Sequence, residues 1–336
     1  MHEARHGVVL GDGRIRCEVC PRFCELREGQ RGLCFVRMHD GGRLVLTTYG
    51  RSSGIAVDPI EKKPLYHFLP GTKALSFGTA GCNLTCRFCQ NWDISKSRST
   101  ERLGVEASPV AIAQLAAQRN CPSVAFTYND PIIFLEYAID TAAACRARGI
   151  RSVAVTAGYV MPAARREFFA AMDAANVDLK SFSERFYREI CGGSLAVVKE
   201  TLAYLVHDTH VWTEITTLLI PGENDSDAEL TALCEWVAGA LGVHVPLHFT
   251  AFHPDWRMQD HASTPRATLE RARAIGLQAG LRYVYTGNIR DRDGGTTFCH
   301  GCGAALIVRD GYAVENAGLD AQGCCTLCGR RCAGVF

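Results

Sequence analysis

One loop constrains this chain more than any other feature. It places three cysteines in a short run, Gly81-Cys82-Asn83-Leu84-Thr85-Cys86-Arg87-Phe88-Cys89-Gln90-Asn91-Trp92, and no fourth follows at a comparable spacing. A [4Fe–4S] cluster held by protein alone takes four thiolates. Three leave one iron open, and an open position is where a metal centre does chemistry rather than hold a fold. The competing reading is a zinc loop that borrows a ligand from elsewhere in the chain.

The chain has 17 cysteines in 336 residues, far too many to be incidental. A first block is Cys17-x2-Cys20-x3-Cys24-x9-Cys34. Four thiolates close a site, and soft ligands suit zinc or an iron–sulfur cluster equally. A last block pairs Cys299-x2-Cys302 with Cys325-x2-Cys328, the two knuckles of a zinc ribbon, around a hairpin expected at 306–308 and 311–314. Rubredoxin-like iron binding fits the same cage, and Cys324 and Cys332 lie beside it. Cys121, Cys145, Cys191 and Cys234 sit in apolar or helical contexts and read as small core residues. Clustered C-x2-C pairs in a long chain that starts Met1-His2-Glu3-Ala4-Arg5-His6 point to metal in a reducing compartment. The expectation is a cytoplasmic, oxygen-sensitive protein. A formal charge of +1 offers no electrostatic case for nucleic acid or an anionic membrane, and no stretch is apolar enough to span a bilayer.

Between the second and third blocks, strand and helix patterns alternate. Strands are expected at 75–78, 123–128, 152–156, 177–180, 211–220, 247–252 and 282–286. Helices are expected from Ser108-Pro109, where serine caps and proline opens the first turn, and at 132–147, 162–172, 195–206, 227–241 and 264–279. Such alternation gives βαβ units, a parallel sheet and an α/β fold. Apolar strands fit a sheet covered on one face by helices and closed on itself; a doubly wound open sheet is the alternative. Three parts are expected: a Cys-rich extension at 1–70, a core at 71–290 and a zinc-ribbon-like module at 291–336.

In a β/α barrel, polar residues just after each strand face the ligand. Asn129 and Asp130 follow the second strand, and Asp130 suits an amino-acid ammonium; either could instead cap the next helix. Asp178 and Lys180, two apart, point to one side and form either a binding pair or a structural ion pair. Thr156 ends the third strand and can join this shell. His253 and Phe252, after the sixth, can reach adenine or a peptide-like substrate. No Ser/His/Asp arrangement, Gly-rich phosphate loop or H-x-x-x-H zinc helix stands out.

The C-x3-C-x2-C loop with Phe88 before its last cysteine resembles the cluster loop of radical S-adenosylmethionine (SAM) enzymes. The resemblance widens with Cys20-Pro21-Arg22-x-Cys24, Glu28-Gly29-Gln30-x-Gly32-x-Cys34, the run from Pro59 to Phe68, Cys89-Gln90-Asn91-Trp92 and Val284-Tyr285-Thr286-Gly287-Asn288. Taken together these resemble the AmmeMemoRadiSam system radical SAM enzyme family, similar in its core to pyruvate formate-lyase activating enzymes. The resemblance implies a partial (β/α)6 TIM-like barrel with Cys-rich modules at both ends. It implies a [4Fe–4S] cluster on Cys82, Cys86 and Cys89, whose open iron binds SAM and cleaves it to methionine and a radical that abstracts hydrogen. The Asn129–Asp130 segment stands where such enzymes carry a Gly-Gly-Glu-type stretch for the SAM amine, and Asp178-x-Lys180 resembles a motif that seats its carboxylate. Partners implied are SAM, a protein or peptide substrate, Memo-like and Ammecr-like proteins, and an electron donor such as flavodoxin or ferredoxin. The alternative function is a zinc-dependent scaffold in which all three blocks are structural.

Overall fold

The structure, a computed structural model, describes residues 1–97 and 104–336. An eight-stranded sheet lies at its centre: β1 (Gly54–Pro59), β2 (Lys73–Gly78), β3 (Ser123–Phe126), β4 (Arg151–Thr156), β5 (Ala174–Asp178), β6 (Trp212–Leu219), β7 (Leu247–Ala251) and β8 (Val284–Gly287). The strands lie side by side in chain order; β2 to β8 run parallel, and β1 pairs antiparallel at the edge. The order never reverses, as a doubly wound sheet would require. Nor does β1 pair with β8 among the described residues, so the sheet is unclosed. Among the described residues the parallel strands number seven, as the strand pattern lists them and one more than the (β/α)6 likeness implies, and β1 is an element that the sequence pattern does not announce.

The connecting helices are α1 (Pro109–Gln118), α2 (Leu135–Arg146), α3 (Pro162–Phe169), α4 (Leu195–Asp208), α5 (Asp227–Trp236) and α6 (Arg266–Gln278). Ser108 caps α1 as expected, its hydroxyl accepting from the Ala111 amide at 3.2 Å. The helix expected at 227–241 changes winding after Trp236 and ends in a π turn, Val237–Leu241. β5 starts three residues before the expected strand. Its first residues, Ala174-Ala175-Asn176, are weak β formers placed there by pairing on both sides. No helix among the described residues is long and apolar enough to cross a membrane.

Alternation along the strands gives the sheet two different faces. Leu75, Phe77, Val124, Phe126, Val177, Ile215 and Phe249 share one core with helix residues such as Ile112, Ala138, Leu202, Leu233 and Leu269. The other face carries Ala74, Ala125, Val153 and Ala174, small enough to admit Leu65 and Phe68. The Pro59–Phe68 run is thus a plug under the inner face. Buried Glu214 holds it: the carboxylate accepts from the amides of Tyr66 (3.0 Å) and His67 (2.8 Å), from Trp212 Nε1 (3.0 Å) and from His248 Nε2 (2.7 Å).

Both ends of the chain attach to this body. A three-stranded sheet of Thr297–Phe298, Ala305–Asp310 and Ala313–Asn316 includes the expected hairpin. Its buried Arg309 donates to the Tyr66 carbonyl at 2.6 Å and to Thr297 Oγ1 at 3.0 Å. At the other end, buried Arg37 donates to Glu136 of α2 at 2.6 Å and to the Ile133 carbonyl at 3.0 Å. Removing one member of such a buried pair costs about 3–5 kcal/mol.

His67 links plug and C-terminal sheet. Its Nδ1 donates to the Ala333 carbonyl at 2.6 Å, and Nε2 accepts from the Tyr285 hydroxyl at 2.5 Å. Burial pushes this imidazole down to about 4. The unfolded chain therefore takes up this proton first as pH falls, and stability drops between about pH 6.5 and 4 by at most about 1.4 kcal/mol per unit. Anaerobic thermal melts across this range should show Tm falling with acidity, and His67→Gln should flatten that dependence.

Candidate active site

The cysteine loop leaves the C-terminal end of β2 and has no regular structure of its own, so other elements must satisfy its backbone. Asn129, just beyond β3, supplies most of this. Its Oδ1 accepts from the Thr79 amide at 3.1 Å, and its Nδ2 donates to the Gly81 carbonyl at 2.9 Å. Gly81 has φ +89° and packs so tightly that a Cβ there would lie 2.0 Å from the Cys34 carbonyl oxygen; only glycine fits. Arg22 donates to the Asn83 carbonyl at 3.0 Å, and the Asn83 side chain to the Tyr159 carbonyl at 3.0 Å. The amides of Thr85 and Arg87 donate to the carbonyls of Cys191 (2.8 Å) and Ile190 (3.0 Å), in the π turn Tyr187–Cys191. Lys96 donates to the Leu84 carbonyl at 2.7 Å, and Asn91 to that of Tyr128 at 2.9 Å.

The result is a cavity of about 300 Å³ at the C-terminal ends of the strands. Cys82, Cys86 and Cys89 line it, together with Asn129, Asp130, Thr156, Asp178 and Lys180. Residues more than 50 positions apart thus meet on one surface. Asp130 caps the short helix Pro131–Phe134, accepting from the Ile132 amide at 3.1 Å, and also takes Thr156 Oγ1 (2.9 Å) and the Ala157 amide (3.0 Å). Lys180 reaches back to Asp178 at 2.8 Å, on one side as the two-residue spacing requires. His253 is exposed, does not line the cavity, and has its Nδ1 3.5 Å from the Pro254 carbonyl.

Sequence reasoning missed several contributors. Lys62 and Pro64 of the plug, Lys96, Thr216 and Thr250 all line the cavity, whereas Asn288, also on its wall, is expected at the rim from the Tyr285-Thr286-Gly287-Asn288 segment. Asn91 stands in the Cys89-Gln90-Asn91-Trp92 wording, which is a signal in the sequence, whereas Thr216 is simply one more strand threonine. Cys191, read as a core filler, is buried but hydrogen-bonds to Cys86.

Charges are unevenly held. Burial opposes the Lys180 ammonium, yet Asp178 and the sulfurs of Cys86 and Cys191 outweigh it and hold its pKa well above the usual value. Burial pushes Cys82 up to about 12 against the pull of Lys96, and raises Cys89 likewise. Burial also raises the Asp130 carboxyl, against the three donors it accepts from. Cys86 goes down, through its bond from Cys191 and the nearby ammonium of Lys180.

Sulfur spacing separates the metal sites. In a tetrahedral zinc site with Zn–S of about 2.3 Å, sulfurs sit about 3.8 Å apart. Cys299 and Cys328 stand 3.5 Å apart, Cys302 and Cys325 3.7 Å. These four are the one set of three or more such ligands, among the described residues, with donor atoms all within 4.8 Å. They fit a single ion. Cys82, Cys86 and Cys89 are not in that set; they face a shared cavity of about 300 Å³, which has room for a multi-iron cluster. Cys191 does not line that cavity, so three thiols, and no fourth, face it. Thr216 Oγ1 is buried without a partner on the cavity wall, a polar group waiting for a ligand.

Comparison with known proteins agrees with this geometry. The pattern of the radical SAM superfamily matches residues 77–234. The uncharacterized protein MJ0808 of Methanocaldococcus jannaschii is 38% identical over 334 residues, 98% of either chain. Among solved structures, SuiB of Streptococcus suis, bound to precursor peptide SuiA, has a TM-score of 0.50 at 14% identity, over 68% of this chain and 51% of that one. A domain of a pyruvate-formate lyase-activating enzyme from Bacteroides vulgatus ATCC 8482 gives 0.44 at 17% identity, over 49% and 98%. The chain belongs to the radical SAM superfamily. Membership implies a [4Fe–4S] cluster and SAM, and makes this an iron–sulfur, metal-binding protein.

Asn129→Ala should leave the Thr79 amide and Gly81 carbonyl unpaired, at a cost of about 1–3 kcal/mol. Iron bound after anaerobic reconstitution should fall markedly, while the circular dichroism of the sheet stays; undiminished iron would remove Asn129 from this role.

Proposed function

We propose that this protein is a radical SAM enzyme of the AmmeMemoRadiSam type that abstracts hydrogen from a protein or peptide substrate. One observation carries the reading: three thiols from one loop share a cavity with charged groups of both signs. In this reading Cys82, Cys86 and Cys89 hold the cluster. Bound there with SAM, it supplies reductive cleavage of the sulfonium and so hydrogen-atom abstraction.

The chain's own side chains then bind and exclude. SAM carries an ammonium and a carboxylate. Asp130, anchored by three donors, has one acceptor position left for the ammonium. Lys180, kept protonated by Asp178, suits the carboxylate. Asn129 acts through the loop rather than on the ligand, since its amide is taken up by Thr79 and Gly81. Thr156 orients Asp130. The Glu214–His248 pair and the plug close the inner end of the cavity against water.

The remaining parts of the proposal follow the same family likeness. The seven parallel strands form a partial barrel within 71–290, flanked by a Cys-rich extension at 1–70, which lends the sheet its edge strand β1, and by a ribbon at 291–336 that holds zinc. Memo-like and Ammecr-like proteins are partners, a flavodoxin or ferredoxin supplies electrons, and activation of a glycyl-radical enzyme is a subcase.

The reading is tested with anaerobically reconstituted protein, dithionite and SAM. 5′-Deoxyadenosine should accumulate with wild type and vanish with Cys86→Ala, whose fold should persist. Its absence from wild type would favour a zinc scaffold. Lys180→Met should weaken SAM binding at least about tenfold, equivalent to about 1.4 kcal/mol, measured by titration of the reduced signal. In the ribbon, Cys325→Ala should remove one metal ion per chain; unchanged metal content would refute that site.

A further inference from the structure

The Cys82 loop is a thin wall with space on both of its sides. Besides the cavity already described, a groove of about 750 Å³ opens against it. Cys82, Leu84, Ser95 and Lys96 line both spaces, so these few residues are what separates them. Asp130, Thr156, Asp178 and Lys180 do not line the groove. A body seated there meets Cys82 without entering the place assigned to SAM. We propose that this groove is where a small electron-carrier protein of acidic surface docks and passes an electron to the cluster.

Charge is what marks the groove. Arg31, Arg87, Lys96 and Arg257 line it. Arg31 donates to the Phe35 carbonyl at 2.9 Å and to Thr47 Oγ1 at 3.0 Å, and Lys96 to the Leu84 carbonyl at 2.7 Å, all neutral acceptors. Arg87 and Arg257 are exposed, and neither forms an ion pair among the described residues. Glu189, the carboxylate on this wall, is already taken by Arg188 at 3.0 Å and Arg185 at 3.5 Å. In a chain whose formal charge is +1, four cations without a counter-charge are a local concentration and not a general excess. Trp256 lies among them, its ring centroid 5.4 Å from the Lys96 ammonium and 4.6 Å from the Arg257 guanidinium. Leu33, on the same wall, is 49% exposed. The Arg257 amide donates to the Arg87 carbonyl at 3.0 Å, which fastens this edge to the cluster loop. Apolar side chains ringed by unpaired cations suit a transient partner that acidic groups steer into place. Nucleic acid would meet the same charges, but an electron carrier gains from sitting against Cys82. The carrier loses one electron and the cluster gains it; no bond forms or breaks.

The use made of the electron rests on the function proposed above, whereas the docking does not. The test titrates an oxidised flavodoxin, and separately a ferredoxin, both of acidic surface, into full-length protein reconstituted anaerobically, and reads the heat of binding. For the carrier that binds, affinity should fall at least about fivefold between about 0.05 and about 0.5 M salt. In Arg87→Glu/Arg257→Glu it should fall at least about tenfold. In Arg257→Glu, cluster reduction by the reduced carrier should slow as binding weakens, while reduction by dithionite, which needs no docking surface, should change less than about twofold. Failure of both carriers to bind, or an affinity indifferent to salt and to charge reversal, would overturn the proposal. So would a single-stranded RNA oligonucleotide that binds more tightly than either carrier and loses affinity in the same double variant. A carrier that binds and responds as expected, in a protein that yields no 5′-deoxyadenosine even with dithionite, would uphold the docking surface and refute the radical SAM reading alone.

Discussion

The whole site depends on how an irregular loop is held still. A segment that aims three sulfurs into one cavity cannot be helix or strand, and its peptide groups must bond to something else. Here each anchor comes from a different layer: Asn129 beyond β3, Arg22 from the N-terminal block, the carbonyls of Ile190 and Cys191 from a π turn, and Lys96 beyond the loop. Because the anchors lie on separate elements, the loop is rigid only when the sheet, the π turn and the extension are all in place. Gly81 shows how tight the arrangement is, with no room for even one added carbon.

The sheet divides its labour along the strands. At the C-terminal ends, Asp178, Thr216 and Thr250 line the cavity. Further down the same face, Glu214 and His248 are fully paired and hold the plug. Alanines at Ala74, Ala125 and Ala174 make room for Leu65 and Phe68, which fill the space that barrel side chains would otherwise occupy. Chemistry and stability are therefore separated by a few ångströms on one face, and the saturated Glu214 keeps them apart.

Three cysteine blocks with similar wording reach three different geometries. The ribbon sulfurs converge on a point, the first block lines a small pocket beside Arg22 and Arg37, and the loop opens to a cavity with charged neighbours. Thiolate identity is the same in each; distance and exposure decide which metal and which role.

Much was legible in the chain itself. Short, near-continuous apolar runs and helix caps such as Ser108 announced the alternating elements, because these depend on neighbours in sequence. The loop spacing announced a cluster, and the two-residue interval of Asp178 and Lys180 announced their pairing. Only the tertiary structure decided that Asn129 serves the loop, that Cys191 lies against Cys86, that the Pro59–Phe68 run is a plug, and that the four cysteines of the first block line one pocket. The reason is physical: spacing along a chain fixes which side chains share a local face, whereas sulfur–sulfur distances and buried partners arise between segments that meet only after folding.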